Sequence, residues 1–443
     1  MTHSTSKIQN PKFSLPRYPR YKDSGVEWLG EIPEHWDTLR AKHVFRNVSE
    51  KGFPDEPLLS ATQDQGVVPR DQREQRVVMP IGQLESFKLV RENDFVISLR
   101  SFQGGIEHCA YRGLVSPAYT VLRLHRDVNP RFLRQLLKAS NFISEINVSV
   151  TGIRQGKNID YGDFAESFLP LPPKPEQNRI VAFLDQKTAK IDALIAKKQR
   201  QIELLDEQKA ILINRAVTRG LNPNAKLKPS GIEWIGEIPE HWDVKKLRWL
   251  LRSSVKNGVS PPISEKGKVP TLSIAAVKNG QVTFGENVKF TAIHKSEAAS
   301  YLLREGDVLA LRGNGSRHLV ATAGIVGSDA PEGCIYPDLL IRIQPTSLIA
   351  AHYLVIQLNG VLRDGINLTA KTSAGIWKVS GESLSAQKVL LPPPVEQTNI
   401  LAYVDSVQEK TAVCKSGITR EIESLKTLRS TLIAHAVTGR IKV

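Results

Sequence analysis

The chain is written twice. Residues 24–37 read SGVEWLGEIPEHWD and residues 230–243 read SGIEWIGEIPEHWD. Twelve of the fourteen positions are identical, and the other two exchange Val or Leu for Ile. Agreement this dense at an offset of 206 means that one folding unit has been used twice, which constrains the fold before any local reading. Other pieces return at drifting offsets. Leu59-Ser60 recurs as Leu272-Ser273, and LVREND at 89–94 recurs as LLREGD at 302–307, both 213 apart. Pro117 returns as Pro337, and LPP with EQ at 171–177 returns at 391–397, both 220 apart. The second copy therefore carries about seven extra residues in each of two places. Elements agree while loops differ, as in one scaffold carrying two sets of loops.

Each copy has two parts. The first is a mixed segment of about 150 residues. Its short apolar runs at 95–99, 119–124, 308–311 and 339–343 predict strands bounded by Gly, Pro and Asp. The stretches 130–146 and 347–362 predict helices after them. The second part is a long helix opened by LPLPPKPEQ or VLLPPPVEQ, since proline fits the start of a helix and not its interior. No proline interrupts 176–220 or 396–440. Some 44 residues at 1.5 Å each make a rod of roughly 65 Å. A spacing of three and four runs through Leu184, Ile191, Leu194, Ile202, Leu205 and Leu212. It returns through Val404, Val407, Ile418, Ile422, Leu425 and Leu432. A narrow stripe sustained this long predicts a coiled-coil seam. Neither helix buries its stripe alone, and the nearest partner is the other copy; packing of each helix on its own globular part is the alternative. With a globular part at each end, the pair is expected to run antiparallel. The expected fold is α+β: two pseudo-repeated α/β modules joined by two long helices packed as an antiparallel coiled coil. The boundaries read 1–22 for a tail, 23–170 and 221–388 for the modules, 171–220 for the first helix, and 389–443 for the second helix and C-terminus.

Composition narrows the partners. Of 443 residues, 41% are hydrophobic and 24% charged, a globular composition. Lys and Arg number 60 against 45 Asp and Glu, a net +15 that favours polyanions such as nucleic acid. The first long helix carries nine basic and six acidic residues over 176–220, so most of the surplus lies in the modules. Cys109, Cys334 and Cys414 stand far apart and form neither a CxxC pair nor a disulfide framework. No run of about 20 apolar residues predicts a membrane span, and residues 1–22 lack the apolar core of a signal peptide, so the cytoplasm is the expected location.

The motifs of an enzyme are missing. Residues 152–158 read GIRQGKN and end in Asn where a phosphate loop needs Ser or Thr. There is no GxGxxG between strand and helix, no NPPY-like tetrapeptide, no HExxH, no GxSxG and no clustered His/Cys metal spacing. His35 and His241 repeat within PEHWD, beside Trp and Pro, and read as structural. Asp94 and Asp307 recur at strand starts, where Asp terminates turns. No catalytic residue and no metal ligand is assigned.

The repeated SGVEWLGEIPEHWD segment, the PPxxEQ helix start and the AVTxG helix end, each present twice or nearly so, resemble the specificity subunit of type I restriction–modification systems. The resemblance spans about residue 21 to the C-terminus. It implies two target-recognition domains, each followed by a spacer helix, with the helices paired antiparallel. Each domain would read one half of a bipartite, asymmetric target in double-stranded DNA with a fixed gap. Two methyltransferase subunits would carry the S-adenosylmethionine chemistry, and motor-nuclease subunits would add ATP- and magnesium-dependent translocation and cleavage. The chain itself would hold no cofactor. One departure is a weaker second seam: Thr411 and Cys414 stand for Ile191 and Leu194, and Gly417 falls within it.

Base edges specify a sequence while phosphates only position the protein. The expected DNA contacts therefore sit on loops that differ between copies. In the first module these are Gln63, Gln65, Arg70, Arg73, Arg76, Arg100, Gln103, Arg154, Gln155 and Lys157. In the second they are Lys278, Asn279, Arg312, Asn314, Arg317, His318, Lys371 and Lys378. Arg can clasp guanine, and Asn or Gln adenine, in the major groove. Arg100 and Arg312 follow apolar runs and precede the Gly-containing loops SFQGG and GNGS. Phe102 and Trp377 read equally as stacking residues or as core. Two readers held by a stiff rod would select one half-site spacing. The alternative reading is a modification or nuclease enzyme with its own site in the modules.

Overall fold

A computed structural model describes residues 16–70, 84–99, 101–148, 159–264, 266–373 and 375–443. The chain divides into two compact units, Met1–Gln199 with Thr419–Val443, and Arg200–Ile418. Each holds one module and a part of both long helices.

In the first unit the module is closed by its own ends. Strand Asp37–Arg40 pairs antiparallel with strand Phe168–Leu171, so Asp37 faces Leu171 just before the long helix begins. Between them lies a four-stranded antiparallel sheet in the order Phe45–Val48, Thr120–Leu124, Phe95–Ile97, Glu107–His108. Phe45, Phe95, Phe132, Phe142 and Phe164 are buried behind it. The strand expected at 95–99 ends at Ile97, and the chain then turns into a short helix, Ser101–Gly104. The helix expected over 130–146 is two helices, Pro130–Leu137 and Ser140–Val148. Asn129 caps the first, accepting from the Arg131 N–H, with Pro130 in the first helical position. Lys138 leaves helical geometry at φ −107° and ψ 0°, and its side chain reaches Glu107 and the Gln63 carbonyl instead.

The second unit repeats the clasp: Asp243–Lys246 pairs with Lys388–Leu391. Its central sheet has six strands, ordered Lys256–Asn257, Leu340–Ile343, Val308–Leu311, Ala323–Ile325, Gln281–Val282, Val277–Lys278. The last two form a hairpin through Asn279 (φ 53°) and Gly280 (φ 79°), the positive pair that a two-residue turn of this hand requires. The helix expected over 347–362 is shorter, Ala351–Asn359, and ends at Gly360 before a second helix, Arg363–Thr369.

The long helices run Lys174–Arg219 and Pro394–Val437, the second unbroken through Gly417. In the first unit the start of one packs with the end of the other. Leu184 and Ile191 share a core with Leu432, Ile433 and Val437. Asp192 pairs with Arg429 at 2.9 Å and Lys198 with Glu421 at 2.5 Å. One number rises as the other falls, so the helices are antiparallel. In the second unit Ala216 and Val217 share a core with Ile400 and Val404, and Asp206 pairs with Lys415 at 2.6 Å. That is again antiparallel.

The seam needs one correction. Leu184, Ile191, Val404, Val407, Ile418, Ile422 and Leu432 are buried, and Ile202, Leu205, Leu212 and Leu425 are half-buried. Leu194, expected in the seam, is 48% exposed, and half-buried Ile195 takes its place. In the second helix Cys414 is likewise exposed and half-buried Lys415 is turned inward. From Ile191 to half-buried Lys198 the stripe steps by four and then by three, through Ile195, rather than by three and then by four, through Leu194. Both copies take that step at the same place.

Candidate nucleic-acid interface

The repeated motifs meet in one joint per unit. In the first, the buried Glu176 places Oε2 2.8 Å from His35 Nε2, and its Oε1 accepts from the Tyr18 hydroxyl. Burial alone would raise the Glu176 carboxyl; the hydrogen bonds from Tyr18 and His35 outweigh it and hold it below the usual range. In the second unit His241 Nε2 lies 2.8 Å from Glu396 Oε2, and the Trp242 indole donates to the same oxygen at 3.0 Å. The adjacent glutamine ties the module to the helix. Gln177 accepts from the Asn129 N–H and donates to the Pro172 carbonyl. Gln397 accepts from the Ala350 N–H and donates to Leu348 and Pro392. The glycine ending each helix closes the joint. A Cβ on Gly439 (φ 74°) would lie 2.4 Å from Pro33, and one on Gly220 (φ 70°) 2.8 Å from Glu396. PEHW, EQ and AVTxG are thus parts of one fastening, and both histidines are structural members of it.

On this frame the loops stand free. In the first module Gln63 and Gln65 are exposed on the turn between strands Leu59–Thr62 and Gly66–Pro69. The Thr62 hydroxyl donates to the Gly66 carbonyl and accepts from the Gln65 N–H. Lys138 Nζ holds the turn from below, 2.6 Å from the Gln63 carbonyl. The Ser101–Gly104 helix abuts the same turn: a Cβ on Gly104 would lie 3.0 Å from Gln63 Cγ. Half-buried Arg70 follows the second strand, its N–H donating to the Leu58 carbonyl. Arg73, Arg76, Arg100, Arg154, Gln155 and Lys157 lie outside the described residues, as does the side chain of Gln103.

In the second module a three-stranded sheet gathers most of the expected residues. Gly313–Asn314 pairs with Ile376–Lys378, which pairs with Lys371–Ser373. Arg312, Asn314, Arg317, Lys371, Trp377 and Lys378 are thereby brought together. Lys278 and Asn279 sit on a different sheet, at its edge hairpin. Arg317 is largely occupied. Its guanidinium lies 4.9 Å from the Trp377 ring centroid and donates to the Asn367 carbonyl from both Nε and Nη2. His318 is exposed beside it, while the Arg312 backbone is bonded to Leu339 and Val379. Two of its guanidinium nitrogens are thus engaged by a helix end, and it braces Trp377.

A family profile described as "Type I restriction modification DNA specificity domain" matches residues 50–204 and 239–424, once over each module and into the helix that follows. The chain belongs to this family. Among members of the specificity family, it is 25% identical over 374 residues to the type I restriction enzyme EcoKI specificity subunit of Escherichia coli K12, covering 82% of this chain and 78% of that one. It is 22% identical to the StySPI specificity subunit of Salmonella potsdam, covering 93% and 90%. Two solved chains share the fold. One comes from work on complex assembly and conformational transition of the type I R-M system, with a TM-score of 0.65, 18% identity and coverage of 92% and 98%. The other is the HsdS subunit from Thermoanaerobacter tengcongensis, with a TM-score of 0.51, 18% identity and coverage of 93% and 98%.

Sequence reasoning missed several residues that hold this specificity chain's loops in place. Lys138 carries the turn that bears Gln63 and Gln65, yet it resembles any helix-surface lysine until the fold places Gln63 above it. Arg363 bonds the Val320 carbonyl at 2.7 Å and the Asn359 side chain at 3.2 Å, supporting the segment that presents His318. No local pattern marks either. Among the described residues no group of His, Cys, Asp and Glu is placed to hold a metal, and no helix is long and apolar enough to cross a membrane.

Proposed function

We propose that the chain is the DNA sequence-reading subunit of a cytoplasmic type I restriction–modification complex. Each module reads one half of a bipartite, asymmetric target, and the paired helices set the gap between the halves. The subunit scaffolds two methyltransferase subunits and the motor-nuclease subunits. These partners hold S-adenosylmethionine, ATP and magnesium, while this chain supplies recognition. The observation that carries the reading is the double family match laid over two modules whose fastenings are the same and whose loops are not. A net charge of +15 supplies the attraction to phosphates that such a reader needs. The module boundaries proposed are 23–170 and 221–388.

Exchange of residues 38–170 for the corresponding module of another member tests it. Methylation-site sequencing of cells carrying the hybrid with its partner subunits is expected to show one altered half-target, with the other half and the gap retained. Change in both halves, or in neither, defeats the reading.

A further inference from the structure

We propose that the two-stranded ribbon formed by Lys371–Ser373 and Ile376–Lys378 is the base-reading element of the second module and enters the DNA major groove. The inference rests on the function proposed above and adds which element reads, through which residues.

The ribbon's register is antiparallel, with Lys371 opposite Lys378, Thr372 opposite Trp377 and Ser373 opposite Ile376. Side chains alternate across a strand, so Lys371, Ile376 and Lys378 share one face and Thr372 and Trp377 the other. Lys371, Thr372 and Lys378 are exposed, and Ile376 is 39% exposed. Two lysines directly opposite repel, and such a pair destabilises a ribbon unless something negative lies across it. Among the described residues neither lysine forms an ion pair. The ribbon therefore keeps an exposed like-charge pair, which an anion lying across it would relieve.

Its base is rigid. Asn314 pairs with Trp377 and Gly313 with Lys378 along one edge. A side chain in place of Gly313 would press on the Lys378 stem, since its Cβ would lie 3.2 Å from Cγ. The Arg317 guanidinium stacks on Trp377 and fixes it to the end of helix Arg363–Thr369. The outer two strands of this three-stranded sheet form a braced, cationic edge, and two strands are the width that the major groove admits. There Lys can donate to guanine O6 and N7, and an exposed Ile on the same face can meet a thymine methyl. The mixture of two lysines with Ile376 on one face fits base edges better than it fits an acidic protein surface.

The test selects duplexes from a random-sequence library with the full-length chain and compares wild type with K371Q/K378Q and with I376T. All three positions are exposed, and thermal melting of each variant confirms the fold. Wild type is expected to return a two-part consensus. K371Q/K378Q is expected to bind it about 10–100-fold more weakly, with relaxed preference in one half only. I376T is expected to change base preference in that same half. A wild-type two-part consensus retained unchanged, with equal affinity, by both variants overturns the ribbon assignment and leaves the proposed function standing. Weakened binding with no change of consensus in either variant assigns the ribbon to phosphates or an acidic partner, and also overturns it. No consensus from wild type itself defeats the underlying reading instead.

Discussion

The two modules keep the same buried aspartate and surround it differently. Asp94 and Asp307 each immediately precede a central strand, and each accepts the N–H of the residue three places earlier, Arg91 or Arg304. The register places Phe95 opposite Leu122 and Val308 opposite Ile343, so Arg123 and Gln344 occupy the same position. In the first module Arg123 bonds Asp94 at 2.9 Å and also reaches Glu50. Burial would raise the Glu50 carboxyl, but the hydrogen bonds and charges of Arg123 and Arg91 outweigh it and hold it low. In the second module a neutral Gln344 amide donates to Asp307 at 2.9 Å. The next strand differs too. His108 faces Phe95 where Ile325 faces Val308, and Glu107 stands where the second module has Gly324. A Cβ on Gly324 would lie 2.5 Å from the Gln281 carbonyl, because the added hairpin strand pairs alongside it there. The first module has a buried glutamate tied to Lys138 in that place. The aspartate turn is thus scaffold, and what answers it is free to change with the loops.

That contrast can be broken experimentally. The largest difference is expected at the aspartate partners. R123A leaves Asp94, 3% exposed, as a buried charge with its ion pair gone, and should cost about 3–5 kcal/mol. Q344A removes one neutral donor and should cost about 1 kcal/mol. Denaturant unfolding of the two variants measures both; equal losses would mean that the modules are not built differently here.

Acid should separate the modules next. Burial, reinforced by Arg134 and Arg131, pushes His108 down to about 4 from an ordinary 6.5. Between those values the unfolded chain takes up a proton that the folded one refuses, so stability falls as pH drops from 6.5 toward 4. Lys138 and Glu107 adjoin the same strand, so the measurement is a difference. H108I, which copies the second module, should flatten the pH dependence of the melting temperature over that window. An unchanged slope would assign the acid sensitivity elsewhere.

The smallest effect sharpens the seam. L194A should change stability by no more than about 0.5 kcal/mol, because the side chain faces solvent. I195A should cost about 1–2 kcal/mol, below the range for a fully buried aliphatic. Thermal melts of the pair decide which residue faces the partner helix.

The sequence by itself determined the duplication, the two long helices with their proline starts and glycine ends, and most of the seam. These rest on local chemistry and on periodicity, which neighbours in the chain enforce. It also marked PEHWD, EQ and AVTxG as important, since each is written twice, but not that they fasten to one another. Only the tertiary structure decided that, because Glu176 and His35 are 141 residues apart and their contact depends on the strand clasp. The same holds for the three-stranded sheet of the second module. Lys371 and Lys378 were legible as basic loop residues, whereas their opposition across paired strands, and the stacking of Arg317 on Trp377, follow from strand register and from a helix end brought near by packing. The seam shows the same division on a smaller scale. Periodicity marked the stripe, and the twist of the helix against its partner chose Ile195 over Leu194.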